Sequence, residues 1–120
     1  MDNVLTNKIF PSIKELLGPS ANDTAFDNEI LLDLNSAIMI LTQIGVGTQG
    51  FTVVTGEETW EDLGIDPSEF ALVKTYLSDK TKLMFDPPVS TVLLNSLNQR
   101  IAEAEWRLRT RAEVELRDGE

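Results

Sequence analysis

Apolar residues recur at helical spacing along most of the chain, and proline and glycine cut them into segments. The stretch 10–19 reads as a short helix, with Pro11 at its first position, Gly18 as the left-handed cap and Pro19 as the stop. Extending that helix back through Ile9, Leu5 and Val4 would put Pro11 inside it and kink it. Residues 1–10 are therefore assigned to an N-terminal arm, 11–108 to a helical domain and 109–120 to a charged C-terminal tail. The spacing predicts a second helix over 25–44, with Thr24 as its cap and Asp27 three residues on in a capping-box arrangement. Phe26, Ile30, Leu34, Ala37, Ile38 and Leu41 make its core stripe. Leu31, Leu32, Met39 and Ile40 fall off that stripe, so this helix is apolar around much of its circumference. Such a helix lies between layers or faces another subunit, and these four residues are the candidates for subunit packing.

Residues 45–66 hold five of the seven glycines, at 45, 47, 50, 56 and 64. They read as a loop with at most a short strand or hairpin at Phe51-Thr52-Val53-Val54, followed by a turn around Trp60. A third helix opens at Asp66-Pro67-Ser68-Glu69, where Asp66 caps and Glu69 is the capping-box acid, and it stops at Asp86-Pro87-Pro88. Phe70, Val73, Leu77, Leu83 and Met84 supply its apolar face. Pro88 opens a fourth helix whose stripe is Val89, Leu93, Leu97, Ile101 and Leu108, with Ala104 and Trp106 beside it. Running to residue 108 it would be ~32 Å long, against a gyration radius of ~14 Å for such a domain, so part of it projects. The fold class is all-α: a small bundle of about four helices with a Gly-rich loop or short hairpin between helices 2 and 3.

Composition narrows the chemistry. The chain has 120 residues, 42% hydrophobic and 25% charged, which suits one globular domain. Its formal net charge is −10, so a basic face for nucleic acid or an anionic membrane is disfavoured. Having no Cys and no His, it offers no disulfide, no thiolate or imidazole nucleophile and no Cys-ligated zinc. No basic leader and no long apolar run is present, which leads to an expectation of synthesis in a cytoplasm and no membrane span.

Gly45-Val46-Gly47-Thr48-Gln49-Gly50 matches the dinucleotide fingerprint in letters only. A helix precedes it and a strand-like segment follows, the reverse of the order that presents a helix N-terminus to pyrophosphate. Glu57, Glu58, Glu61 and Asp62 lack the spacing of a calcium loop and read as a solvated acidic loop. Neither supports catalysis, and no catalytic, cofactor or metal residue is assigned. All five Lys precede residue 99, whereas all five Arg lie at 100, 107, 109, 111 and 117. Trp106, Arg107, Arg109 and Arg111 are of the types that anchor protein interfaces and are assigned to an intermolecular contact. Dense charge with few apolar residues predicts that 109–120 orders only on assembly.

In family order the chain carries Ile13-Lys14-Glu15-Leu16-Leu17-Gly18, then Asn35-Ser36-Ala37 through Leu41-Thr42-Gln43-Ile44-Gly45-Val46-Gly47. Phe51, Trp60, Val73-Lys74-Thr75-Tyr76, Leu83-Met84-Phe85-Asp86-Pro87-Pro88 and Glu105-Trp106-Arg107-Leu108 follow. In this it resembles the tailed-phage head–tail connector family, small helical adaptor or head-completion proteins also described as DNA-packaging proteins. The resemblance implies a ring, commonly of twelve subunits, in the virion neck. Such a ring sits beneath the portal protein, extends the DNA channel and offers a platform to a tail-side head-completion or stopper protein. DNA passes through without sequence-specific binding, and assembly takes place in the host cytoplasm. The family's C-terminal segment often engages the portal, which would put Trp106 and the three Arg residues near that contact. The competing reading of the same amphipathic pattern is a soluble helical adaptor or regulatory protein that dimerises through its fourth helix.

Overall fold

Helix α1 (Ile9–Leu17) starts two residues before Pro11 and includes the proline. Pro11 falls in the first turn, where the backbone N–H has no helical partner to lose. Ile9, Ile13 and Leu17 face the core from this helix. The computed structural model describes residues 4–118. A 3-10 turn at Val4–Thr6 precedes α1, and Leu5, Ile9 and Phe10 are all buried. The segment assigned to an N-terminal arm is packed at Leu5, Ile9 and Phe10, while residues 1–3 lie outside the described residues. Two backbone bonds also tie it down: Ile9 N–H donates to the Glu58 carbonyl at 2.9 Å, and Trp60 N–H donates to the Asn7 carbonyl at 3.2 Å.

Helix α2 (Asp27–Ile44) follows 3-10 turns at Pro19–Ala21 and Thr24–Phe26. Its approach is capped by Asp23, whose carboxylate accepts from Ala25 N–H, and not by Thr24. Asp27, expected in a capping box, instead takes a hydrogen bond from the Lys14 ammonium at 2.7 Å and so joins α1 to α2. Ile30, Leu34, Ala37, Ile38 and Leu41 are fully buried, as the periodicity predicts. Phe26 is the exception: it lies partly exposed and meets Phe85 edge to face.

No strand or hairpin forms among the described residues; an isolated bridge between Lys8 and Thr59 is the nearest approach. Val53 is buried, but the Asn35 side chain supplies what a partner strand would. Val53 N–H donates to Asn35 Oδ1 at 2.8 Å, and Asn35 Nδ2 donates to the Val53 carbonyl at 2.9 Å. Val54, Thr55 and Gly56 N–H then all donate to the Glu58 carboxylate. With its polar groups satisfied in this way, the segment gains nothing from pairing. It leads into α3 (Trp60–Leu63), opened by a reciprocal capping box between Thr59 and Asp62.

Helix α4 (Phe70–Phe85) packs against α1, α2 and α5 (Thr91–Asp118). Asp66 caps its 3-10 lead-in at Pro67–Glu69 through Ser68 N–H, as read from the sequence. Val73, Tyr76 and Leu77 fill its core face, while Phe70 and Leu83 are half-buried and Met84 is partly exposed. Pro88 does not open α5; that helix starts at Thr91, behind Ser90, whose hydroxyl accepts from Leu93 N–H. Leu97, Ile101, Ala104 and Leu108 are its buried stripe, whereas Val89 and Leu93 are exposed instead of continuing it. The tail expected to order only on assembly is helical through Asp118, and residues 119–120 lie outside the described residues. At 28 residues α5 is ~42 Å long. That nearly matches the longest dimension of the molecule, 46 Å.

Candidate functional site

The features that stand out are exposed apolar faces with charges beside them. On α5 the residues 92, 95, 99, 102, 106, 109 and 113 follow one another at three- and four-residue steps, and every one is exposed. Trp106 is 65% exposed near the middle of this row, with Val92 at 76% toward one end. Trp106 is thus no core residue, although it sits between buried Ala104 and Leu108. Two residues either way on a helix is 200°, so those neighbours turn it outward. That offset is the signal in the sequence that sets Trp106 apart from the stripe.

The three arginines assigned with it have different fates. Arg107 reaches back one turn to Glu103, Nη2 to Oε1 at 2.8 Å, both groups well exposed. Arg111 turns inward: its Nε lies 2.9 Å from Glu69 Oε1 and 3.3 Å from Glu115 Oε1, and its Nη2 donates to Ser68 Oγ at 2.8 Å. Glu69, expected as a capping-box acid, is instead the buried end of this clamp. Burial raises the Glu69 carboxyl above its ordinary range and the nearby Glu115 adds to that, with Arg111 opposing. Arg109 is exposed and, among the described residues, makes no hydrogen bond or ion pair.

A second face lies on α2. Leu32 and Met39 are 68% and 57% exposed and, with Asn35, Ser36, Phe51 and Thr52, line a shallow groove between α2 and the 50–52 loop. The other two residues assigned to subunit packing are half-buried, and Leu31 packs against the core. Glu29 and Asp33 flank this face one turn apart, and neither has a cationic partner among the described residues. Partial burial, followed by repulsion from Glu29, raises the Asp33 carboxyl.

A third apolar patch is the α4–α5 connection, which includes Val89 and Leu93, two residues expected in the core stripe. Val89, Val92 and Leu93 are all exposed there, just past Pro87-Pro88. Between the helices, two polar contacts are partly buried. Arg100 donates to both oxygens of buried Asp79, at 2.8 and 3.2 Å. Tyr76 donates to Glu105 at 2.8 Å; burial comes first, then that bond and the Glu105 charge, in holding its phenol far above the ordinary range. Neither pair was legible, because each joins residues more than twenty positions apart.

The acidic run of the 57–62 segment is structural. Glu57 pairs with Lys8, Glu58 holds the 54–56 backbone, and Asp62 closes a capping box. Among the described residues no group of acids is arranged to hold a metal ion, and no helix is long and apolar enough to cross a membrane. Gly45 and Gly47 serve packing. Gly45 is the left-handed C-cap of α2, where a Cβ would come within 3.1 Å of Ala112, and at Gly47 a Cβ would meet Leu63 at 3.0 Å.

An all-helical chain whose exposed chemistry consists of apolar faces and ion pairs is built like an assembly component. A phage connector protein family model matches residues 9–115, nearly the whole chain, and the chain belongs to that family. Membership makes it a structural phage protein of the virion neck, part of a portal-associated oligomeric assembly. No curated protein and no solved structure matches the chain.

Proposed function

We propose that this chain is a ring-forming adaptor that binds beneath the portal, extends the DNA channel and receives a tail-side head-completion or stopper protein after packaging. The observation that carries the reading is the family match across residues 9–115. The exposed Trp106 row and the Leu32–Met39 face supply surfaces that an isolated domain would bury, as a ring subunit does on its two sides. A ring of twelve is the expected form. The net charge of −10 suits a channel wall past which DNA slides, since no array of cations holds the phosphates. No reaction is assigned to the protein.

Electron microscopy of particles from a phage with an early stop codon in this gene tests the proposal. Separate heads and tails, with packaged DNA lost from the heads, are expected. Normal infectious virions would overturn it in favour of a soluble dimeric adaptor.

A further inference from the structure

The two outward faces differ in charge as well as in place. Helix α2 carries Asp27, Glu29 and Asp33 and no Lys or Arg. Lys14 neutralises Asp27, which leaves Glu29 and Asp33 beside Leu32 as two carboxylates without a cation among the described residues. Residues 29, 32, 33, 36, 39 and 40 lie on one side of the helix by their three- and four-residue steps. On α5, Arg109 stands one turn from Trp106 with no carboxylate partner, while Arg107 and Arg111 are occupied within the chain. Glu103, beside the row, is neutralised by Arg107, and Glu113 lies one turn beyond Arg109 toward the chain end. One face therefore has an aromatic anchor and a guanidinium without an ion-pair partner, and the other an apolar groove and two carboxylates without a cation, among the described residues. Each is turned away from the core, with α4 packed against both helices.

We propose that the partner of this α5 row is the α2 face of a second copy of the same chain: Trp106 seats in the groove at Leu32 and Met39, and Arg109 pairs with Glu29 and Asp33. The contact joins unlike faces, so it runs head to tail and closes as a ring instead of a two-fold pair. It rests on the ring reading above and adds which surfaces meet. It also divides the arginines: Arg109 serves the neighbour, whereas Arg111 serves its own chain.

Charge reversal tests this on the full-length protein, with mass photometry and sedimentation reading oligomer size with and without purified portal protein. Arg109→Glu breaks no hydrogen bond or ion pair within the chain but removes a positive charge from near Tyr76 and Glu105. Its fold is therefore checked by circular dichroism, and Arg109→Gln is measured beside it. The reversed variant should need about tenfold more protein for half-assembly. Adding Glu29→Lys and Asp33→Lys to that variant should restore the ring, because every junction is reversed together. Leu32→Glu should impair assembly independently of charge pairing. Wild-type assembly by Arg109→Glu, or failure of the two lysines to rescue it, would overturn the pairing while the ring itself stands. If Arg109→Glu still forms rings but no longer binds portal, the α5 row belongs to the portal and the proposal fails. A wild-type chain that forms no ring under either condition would remove the ring reading and this inference together.

Discussion

Val53 is nearly fully buried in a segment with no partner strand, so its backbone depends on one side chain, that of Asn35. Asn35→Ala would leave a buried donor and a buried acceptor unmatched, at about 2 kcal/mol of stability. Urea unfolding should show a lower midpoint with an unchanged slope, the sign of lost stability without a changed unfolded state. Glu58 is the companion residue. Partial burial pushes its carboxyl up, but bonds from the Val54, Glu58 and Thr55 N–H groups and the Thr55 hydroxyl outweigh this and bring its pKa to about 2. The folded value lies below the ordinary 4.5, so the ionised group stabilises the fold above 4.5. That stabilisation is lost as the pH falls through about 2. Glu58→Gln should therefore be less stable than wild type at pH 6, with the two converging by pH 2 in thermal melts. A constant difference across that range would contradict the assignment.

The distal half of α5 rests on few contacts. After Leu108 the helix has Ala112 against Gly45 and the Arg111 clamp to Glu69 and Ser68. Removing the guanidinium with Arg111→Ala leaves the Glu69 carboxylate buried without its cation. Half of Arg111 is in water, so the loss of stability should be smaller than for a fully buried pair. Because the Glu69 pKa already lies above 4.5, lowering the pH protonates it and the cost of Arg111→Ala should shrink. Glu69→Gln should remove most of the penalty at any pH, which a double-mutant cycle by denaturant unfolding can measure. The same helix shows what was legible in the chain. The core stripe of α2, the Asp66 cap and the stop before Pro87 follow from local spacing and φ restriction, and the structure has them. The charge density of 109–120 predicts a tail that orders only on assembly, yet 109–118 continue α5. Arg107 with Glu103 and Arg111 with Glu115 are four residues apart and support a helix. Pro11, expected at the first helical position, is the third residue of α1, still within the first turn where a proline loses no helical hydrogen bond. The Asn35–Val53 and Glu69–Arg111 contacts join distant segments, so neither periodicity nor capping rules could have disclosed them.

Across the whole molecule the two tryptophans report on different events. Trp60 is fully buried and packs edge to face on Phe70, whereas Trp106 stands 65% exposed on the outer row of α5. Covering the exposed part of an indole removes roughly 100–160 Å² from water, worth on the order of 3 kcal/mol at each junction. Opposing it, every copy brings a net charge of −10 to the ring. That repulsion acts over distance and is screened by salt, with a Debye length of about 8 Å at physiological strength, while the apolar contact is not. A pairing of Arg109 with Glu29 and Asp33 would be weakened by the same salt, but it involves a few charges against the repulsion of whole subunits. Assembly should therefore strengthen as salt rises from about 0.05 to 0.3 M. In acrylamide quenching the monomer should show one open and one shielded tryptophan, and the assembled protein two shielded ones. Trp106→Phe should assemble less readily and show a single shielded class under both conditions. If Trp106 stays quenchable in the assembled ring, the outer row of α5 faces solvent there and the contact lies elsewhere. The apolar turn at Val89, Val92 and Leu93 would then be the next surface to test.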